Sequence, residues 1–341
     1  MSPHTRSQLL AIPKVNLHCH LAGSVQPETL VSLARAQGLD TPKDVAGAQA
    51  MVCVHTDSPR SLAYALQAIA ATYPVLQTAH ALERAAFEAA AANARIGVAY
   101  LELRGGPQLH MRGGLALDDV IAAIVAGLRR AEDEFVIRTG FIPCVIRGSD
   151  VEDAFELVDT AIRFATRGVV GIDIAGDERR FPATPYLPAC RRARDAGLGV
   201  TVHAGEDGGA DNVREAVVTL HAQRIGHGVA AVTDADCIAL LKERRVTLEL
   251  CPTSNVRTGA VRSFSAHPAL TLLRAGIRIS VADDDPATFS TDVVDELAHL
   301  VDVGMTLDEV RDVQQHGIDA AFCSPAARRE LSTALQQAAP R

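Results

Sequence analysis

Three histidines near the ends of hydrophobic segments could together hold a metal ion. His18 and His20 stand two residues apart in VNLHCH, and on a β-strand this spacing turns both imidazoles to the same side. Taken alone, such a pair fits a structural role as well as a metal site. His203, in VTVHAGE, ends another β-branched segment and would complete a set of three imidazoles, which are common ligands of zinc.

Carboxylates accompany these histidines. Glu206 follows His203 by three residues, beyond two small residues that let the backbone approach a ligand. A carboxylate that lies beside a metal without binding it suits general acid–base catalysis. Asp283, Asp284 and Asp285 are adjacent, so their pKa values would rise unless a cation neutralises at least one of them. A metal ion is the simplest explanation, although an acidic run by itself also fits a solvated loop.

Two further residues of these segments could take part in chemistry. His227 lies between two glycines in RIGHG, and taken alone it fits a hydrogen-bonded core histidine better than a catalytic one. Cys19 lies between two candidate ligands, but strand alternation points it toward the surrounding helices. We expect Cys19 to be a small buried apolar residue and not a ligand.

The elements that must position these residues follow a repeating pattern. Short β-branched segments alternate with longer Ala/Leu/Arg-rich segments of helical period, which is typical of βα units around a parallel sheet. The chain has 341 residues, and a (β/α)₈ barrel needs about 250 plus insertions. Predicted strands cover residues 15–20, 98–104, 141–147, 169–176, 200–206, 224–228, 246–254 and 277–285. The sequence therefore predicts an α/β fold, a (β/α)₈ TIM barrel that forms one metal-dependent hydrolase domain over residues 1–341.

The predicted helices include one long exception to the short connections of such barrels. Helices are expected at 151–166, 212–222 and 306–321, the last opened by a capping-box pattern of Thr306 and Glu309. Residues 26–93 separate the first two predicted strands and are mostly helical in period. A helical insertion of this size after the first strand is expected to act as a lid at the barrel mouth. The candidate chemical residues gather at the C-terminal strand ends, where such barrels build their active sites.

Charge and hydropathy disfavour several kinds of partner. The formal net charge is -8 and no Lys/Arg block is present, so the chain lacks the basic footprint of a nucleic-acid or anionic-membrane protein. No segment approaches the roughly 18 apolar residues of a membrane span, and the first residues lack the apolar run of a signal peptide. Seven scattered cysteines without a CxxC pair fit reduced thiols. We expect a cytoplasmic protein, and the sequence leaves its oligomeric state open.

Taken in order, the motifs of this chain resemble those of the adenosine deaminase family in the amidohydrolase superfamily. They are PKVNLHCHLAGS, PETL, GIDIAGDE, VHAGE, RIGHG, LELCPTSN, HPALTLLRAGIRIS and DDDP, and they span about residues 12–330. The resemblance implies a zinc-dependent aminohydrolase with one Zn²⁺ per chain, which replaces the 6-amino group of a purine with oxygen and releases ammonia. It also implies the zinc ligands His18, His20, His203 and Asp284.

The same resemblance implies roles for residues around the metal. Glu206 would carry a proton to the purine, and His227 would orient the attacking water and help to deprotonate it. Asp285 would contact purine N7, either as a protonated carboxyl or by meeting a protonated N7. The Gly176 backbone would contact N3. The predicted substrate-binding residues are His20, Ala22, Ser24, Leu62, Tyr64, Gly176 and Asp285.

Departures from the family pattern fall at the sugar end of the substrate. Adenosine-specific members usually carry an acidic residue directly after HxHL, which hydrogen-bonds the ribose 5′-hydroxyl, and here that residue is Ala22. The expected substrate is therefore a 6-aminopurine nucleoside or close analogue, possible forms being 5′-methylthioadenosine and aminodeoxyfutalosine. Free adenine or another amino-heterocycle is the alternative. A catalytically silent binding relative is disfavoured, because it would not need Glu206 beside a metal.

Overall fold

An eight-stranded parallel barrel lies at the centre of the computed structural model, which describes residues 3–338. Each strand pairs with the next one along the chain, in the order β1 to β8. The strands are β1 (Lys14–His20), β2 (Val98–Gly105), β3 (Arg138–Ile146), β4 (Gly171–Ala175), β5 (Gly199–Ala204), β6 (Arg224–His227), β7 (Thr247–Leu250) and β8 (Arg278–Val281). The predicted (β/α)₈ barrel is confirmed.

Helices surround this barrel. They are α1 (Pro3–Ala11), α2 (Pro27–Ala36), α3 (Val45–Val52), α4 (Leu62–Ala70), α5 (Ala79–Arg95), α6 (Leu117–Glu134), α7 (Val151–Arg163), α8 (Leu187–Asp195), α9 (Ala210–Val218), α10 (Ala235–Arg244), α11 (Pro252–Arg257), α12 (Ala269–Arg274), α13 (Pro286–Phe289), α14 (Val293–Asp302), α15 (Leu307–Ala320) and α16 (Pro325–Gln337). Within the described part of the chain, none of them is long and apolar enough to cross a membrane.

The helix predicted at 306–321 corresponds to α15 and begins as its sequence indicates. The Thr306 side chain accepts a hydrogen bond from the Glu309 N–H, and the Glu309 carboxylate accepts one from the Thr306 N–H. Each side chain thus satisfies a backbone donor that the first helical turn leaves free.

Two strands end four residues earlier than the sequence suggested. The segment 246–254 leaves the sheet after Leu250, because Pro252 begins α11 and has no N–H to donate to a neighbouring strand. The segment 277–285 leaves it after Val281, and Asp284 then adopts a left-handed backbone with φ of 60°. The strand prediction was therefore wrong for residues 251–254 and 282–285, which form the connections above the barrel.

The barrel closes through the connection that follows β8. The His20 N–H donates to the Asp284 carbonyl at 2.7 Å, and the Asp284 N–H donates to the His18 carbonyl at 2.9 Å. These two backbone hydrogen bonds join the end of β1 to a segment more than 260 residues later in the chain. Closure itself thus brings the last acidic motif against the first histidine motif.

Four helices, α2 to α5, connect β1 to β2. The last of them, α5, packs against β2 and α6 as an outer helix of the barrel. The preceding helix, α4, packs instead on the connection after β8, where Ala65 and Ala68 join Phe289 and Val54 in a small apolar cluster. The Val54 N–H donates to the Thr288 carbonyl at 2.8 Å, so backbone pairing supports this contact.

Candidate active site

The four residues predicted as metal ligands converge at the C-terminal end of the barrel. One ligand atom from each of His18, His20, His203 and Asp284 lies within 4.8 Å of the others. The His20 Nε2 atom is 3.2 Å from His18 Nε2 and 3.3 Å from His203 Nε2. The Asp284 Oδ1 atom is 3.3 Å from His18 Nε2 and 3.4 Å from His20 Nε2. The barrel thus assembles a compact donor set from β1, β5 and the segment after β8.

Two buried carboxylates set the protonation of this donor set. Glu249 Oε2 lies 2.8 Å from His18 Nδ1, and Asp173 Oδ2 lies 2.9 Å from His203 Nδ1. An ionised carboxylate can only accept a hydrogen bond, so each Nδ1 carries a proton, and Nε2 keeps its lone pair whenever the imidazole is neutral. Neither carboxylate was predicted from the sequence. The available signal was a single acidic residue inside each of the buried strands GIDIA and TLEL.

Buried arginines keep those two carboxylates ionised. Arg104 donates to Asp173 Oδ2 at 3.0 Å and to Glu249 Oε2 at 2.9 Å, and Arg224 donates to Glu249 Oε1 at 2.6 Å. Burial alone would raise the pKa of Asp173, but the neighbouring His203 and Arg104 hold it well below its usual range. The carboxylates therefore remain acceptors, and the histidines keep their orientation.

This donor set fits a zinc ion. The Nε2 atoms of neutral His18 and His203 and the Asp284 carboxylate oxygen converge with at most one proton, on His20 Nε2, to share among them. This arrangement is repulsive unless a cation lies among these atoms. Burial lowers the pKa of both His18 and His20, so protonating these imidazoles is disfavoured. Histidine nitrogens and a carboxylate oxygen are ligands of the kind that catalytic zinc uses.

Three further polar side chains border the donor set. His227 Nε2 lies 3.4 Å from Glu206 Oε2 and 4.0 Å from Asp284 Oδ2. Burial raises the pKa of Glu206, which suits a carboxyl group that holds a proton and gives it up. Burial, and then the charges of Asp284 and Glu206, raise the pKa of Asp285 well above its ordinary value. Burial, the largest of these causes, favours a protonated Asp285 that can donate a hydrogen bond.

A cavity of about 400 Å³ opens above these groups. Its walls include many of the residues that the sequence predicted for the site, namely His20, Ala22, Leu62, Gly176, His203, Glu206, His227, Asp284 and Asp285. Leu66 and Ile69 of α4 continue the wall that Leu62 begins, and Ile146 adds to it from the end of β3. The cavity is therefore lined by these polar groups together with an apolar wall.

Two residues predicted to bind substrate do not line this cavity. Tyr64 packs against the apolar cluster beneath α4, because it lies two residues after Leu62 and so on another face of the helix. Ser24 is buried, and its hydroxyl donates to the His20 carbonyl at 2.6 Å. The structure therefore places Tyr64 and Ser24 outside the cavity lining, and their contact with substrate stays a prediction. Ser24 instead supports the backbone of a candidate ligand.

Crowding around the site requires glycine at two positions. A Cβ atom on Gly23 would lie 1.8 Å from Asp285 Oδ1, and one on Gly226 would lie 2.9 Å from His18 Cε1. His227 itself has a left-handed backbone with φ of 60°, a conformation that non-glycine residues adopt at a cost and that is frequent at functional sites. Gly226 therefore leaves room for the His18 imidazole, and Gly23 leaves room for the Asp285 carboxyl group.

The loop that carries Glu206 is held by a carboxylate that the sequence analysis did not single out. Glu178 is buried, and its two oxygens accept hydrogen bonds at 2.8 Å from four successive backbone N–H groups, those of residues 205–208. Charge-assisted hydrogen bonds of this kind are stronger than neutral ones. Glu178 therefore fixes the backbone from which Glu206 projects.

We expect Glu178→Gln to destabilise the protein and to lower kcat. The amide nitrogen of glutamine cannot accept the N–H groups that one carboxylate oxygen now binds, which should reduce the free energy of unfolding by about 1–3 kcal/mol. Chemical denaturation and steady-state kinetics measure both effects. Asp177→Asn is the stability control, since within residues 3–338 the Asp177 carboxylate accepts only the local N–H groups of Arg179 and Arg180. A loss of stability no larger than that of the control would contradict the role given to Glu178.

Comparison with known proteins gives a consistent result for the chain as a whole. Residues 13–338 match the family model described as adenosine deaminase. The adenosine deaminase of Vibrio atlanticus is 34% identical over 329 residues, which cover 96% of this chain and 99% of that protein. Among solved structures, an adenine deaminase from Arthrobacter aurescens matches with a TM-score of 0.89 at 29% identity, covering 96% of this chain and 98% of its own. An amidohydrolase from Burkholderia ambifaria with bound Zn matches with a TM-score of 0.91 at 28% identity, covering 99% of this chain and 93% of its own.

Proposed function

This chain belongs to the adenosine deaminase family of hydrolytic deaminases, and we propose that it deaminates a 6-aminopurine nucleoside, or a close analogue, whose 5′ position is apolar. The proposed reaction replaces the 6-amino group by oxygen and releases ammonia. It depends on zinc, with one ion per chain held by His18, His20, His203 and Asp284.

One observation carries the proposal more than any other. Glu206 Oε1 and Asp285 Oδ1 are both buried, and neither has a hydrogen-bond partner among residues 3–338. Both side chains line the same cavity. A buried polar atom without a partner is costly, and N1 and N7 of a purine would provide the missing partners. Two carboxyl groups that each lack one hydrogen-bond partner support a flat heterocycle with several ring nitrogens as the substrate.

The residues of this chain then divide the chemistry among themselves. When bound, zinc would lower the pKa of a water to about 7, which provides a nucleophile near neutral pH. Glu206 carries a proton to purine N1, because addition at C6 breaks the aromaticity of the ring. Asp285 donates to N7 as a protonated carboxyl, in agreement with its raised pKa. His227 orients the attacking water, and the Gly176 backbone contacts N3.

We further propose that the chain acts as one barrel domain whose insertion, residues 26–93, covers the substrate. Support comes from α4, which contributes Leu62, Leu66 and Ile69 to the cavity wall. The same helix packs on Phe289, four residues after Asp285. Closure of α4 over the cavity would exclude water from the reacting centre.

The sugar end of the substrate is proposed from Ala22 and its surroundings. Ala22 lines the cavity and offers no side-chain acceptor for a 5′-hydroxyl. The neighbouring wall is apolar, and a volume of about 400 Å³ falls within the roughly 300–1,000 Å³ of pockets that hold drug-sized ligands. A 5′-deoxy or 5′-thioether nucleoside matches this lining better than adenosine does.

We expect a 5′-thioether or 5′-deoxy nucleoside to exceed adenosine in kcat/KM, and Ala22→Asp to reverse this preference. A new carboxylate can accept the 5′-hydroxyl, which is worth about 1–3 kcal/mol, or roughly 10- to 150-fold. Ammonia release from adenosine, 5′-deoxyadenosine, a 5′-thioether analogue and adenine measures the selectivity of both proteins. Asparagine has nearly the same volume as aspartate but no charge, so Ala22→Asn separates the effect of hydrogen bonding from that of the negative charge.

Two results of this panel would contradict the proposal in different ways. If adenosine is the best substrate of the wild type and Ala22→Asp leaves the ratio unchanged, the argument from Ala22 is wrong. If adenine alone is deaminated, the substrate is the free base, as the name of the Arthrobacter aurescens protein indicates for that enzyme. Inactivity toward every purine of the panel would overturn the proposed function as a whole.

A further inference from the structure

We propose that Asn255 and His267 are positioning residues that hold His227 in one tautomer, with its ring proton on Nε2. This inference deepens the proposed function and rests on it for the catalytic meaning of His227, but not for the tautomer itself. Neither Asn255 nor His267 has been given a role so far, although both lie in motifs of the sequence, CPTSN and HPALTLL.

A continuous chain of hydrogen bonds leads to His227 from a backbone amide. The Ala269 N–H donates to His267 Nδ1 at 3.2 Å. His267 Nε2 lies 3.2 Å from Asn255 Oδ1, and Asn255 Nδ2 lies 3.1 Å from His227 Nδ1. All three side chains are buried, with exposed fractions of 6% for His267, 0% for Asn255 and 1% for His227. Water therefore does not compete for these contacts.

The direction of each hydrogen bond follows from the first one. A backbone N–H can only donate, so His267 Nδ1 must accept. Burial lowers the pKa of His267 to about 4, so its imidazole is neutral and its one proton is on Nε2. That proton is donated to Asn255 Oδ1, which leaves the NH₂ group of Asn255 facing His227. Because an amide nitrogen can only donate, His227 Nδ1 accepts, and the proton of a neutral His227 is on Nε2.

Asn255 cannot easily reverse this direction. Its own backbone N–H donates to the Cys251 carbonyl at 2.9 Å, and its carbonyl accepts from the Val261 N–H at 2.8 Å. A rotation of the amide group by 180° would set its NH₂ group against the Nε2–H of His267 and its oxygen against His227 Nδ1. The first of these contacts would place two donors against each other. Because the Ala269 N–H keeps the proton of His267 on Nε2, this rotation of the Asn255 amide is disfavoured.

The tautomer decides what His227 can do. Its Nε2 atom faces Glu206 Oε2 at 3.4 Å and Asp284 Oδ2 at 4.0 Å, and the attacking water of the proposed reaction must lie near these atoms. A nitrogen that already carries a proton cannot take one from water. His227 therefore donates a hydrogen bond that orients the water and stabilises developing negative charge, while Glu206 transfers protons. This is narrower than the role in deprotonation that the family resemblance implied.

The tautomer can be read directly by NMR. In metal-loaded protein labelled with ¹⁵N-histidine, long-range ¹H–¹⁵N spectra distinguish protonated from unprotonated ring nitrogens. We expect unprotonated Nδ1 and protonated Nε2 for both His227 and His267, with signals assigned by their loss in His227→Gln and His267→Gln. A wild-type His227 that carries its single proton on Nδ1 would overturn the proposal.

Asn255→Asp tests the consequence for catalysis. An aspartate of nearly the same shape accepts where Asn255 donates, so the proton of a neutral His227 should move to Nδ1. At a pH where the spectrum shows a neutral His227 ring, we expect kcat to fall by roughly 10- to 100-fold, with little change in KM. A loss of this size is typical when a hydrogen-bond partner that orients a side chain of a metal site is removed. If His227 accepts a proton from water, the aspartate would support it and kcat would be kept or raised. That result would overturn the proposal.

Asn255→Leu with a matched control separates positioning from a general loosening of the fold. Gln314 is another buried amide, which accepts the Val15 N–H at 2.9 Å from α15. Gln314→Leu should keep kcat and the His227 spectrum, whereas Asn255→Leu should lower kcat. Equal losses of kcat in the two variants would show that Asn255 has no positioning role. The spectra need no substrate, so the two proposals can fail separately. If the protein is inactive toward every purine but shows the expected His227 tautomer, the proposed function is wrong and the inference about Asn255 and His267 is kept.

Discussion

His203→Ala is expected to lose both the metal ion and the deaminase activity. His203 provides one of four converging ligand atoms, and its ring is held in place by Asp173 at 2.9 Å. Removing one ligand leaves the remaining donors with an incomplete set in a buried site. Elemental analysis of the purified wild type should find about one divalent ion per chain, and ammonia release should fall to the background in the variant.

A buried histidine outside the ligand set provides the control for this prediction. His110 lines the same cavity but is not part of the converging set, so His110→Ala should keep its metal. Full metal occupancy in a His18→Ala, His20→Ala double variant would contradict the proposed ligands. Because zinc occupancy is measured apart from activity, the result does not depend on finding the correct substrate.

The converging ligands could be predicted from the sequence because of two simple regularities. Strand alternation places His18 and His20 on one side, and the C-terminal ends of parallel strands meet at one end of a barrel. His203 and Asp284 follow hydrophobic segments of the same kind, so their proximity required no knowledge of individual contacts. The structure brings these four residues together as expected.

The residues that support the ligands were not predictable in this way. Glu249 and Asp173 are single acidic residues inside short buried strands, and only the assembled barrel shows which histidine each one faces. Glu178 acts on the backbone of a loop 27 to 30 positions further along the chain, where sequence spacing carries no information. The link between Asn255 and His267 depends on how the chain folds back after α11, for the same reason.

Two predicted substrate-binding residues, Tyr64 and Ser24, lie outside the cavity lining for a physical reason as well. A helical lid was expected around Leu62 and Tyr64, but which face of a helix meets the cavity depends on its rotation about its own axis. Leu62, Leu66 and Ile69 follow the spacing of four and three residues that one face requires, and Tyr64 does not. Ser24 lies two residues after Ala22 in the sequence, but its hydroxyl donates to the His20 carbonyl and not toward the cavity.

Glu206→Gln is expected to lower kcat by at least about 10²-fold while keeping zinc and substrate binding, because general acid–base groups contribute typically 10²- to 10⁴-fold. Glutamine has nearly the same shape as glutamate but cannot hold or release the proton that purine N1 requires. Glu206 is not part of the converging ligand set, so its charge is not needed to hold the metal. Steady-state kinetics and metal analysis of the same preparation measure the two expectations together.

The neighbouring carboxylate offers a matched control for Glu206. Asp207 projects from the same loop, and its side chain pairs with Arg179 at 3.0 Å. Asp207→Asn removes a negative charge one residue away, and kcat should stay close to that of the wild type. A similar fall in kcat for both variants would mean that the charge of the loop matters and not the proton carried by Glu206. Loss of zinc in Glu206→Gln would instead show that Glu206 is a ligand, since a proton carrier can lose its charge without releasing the metal.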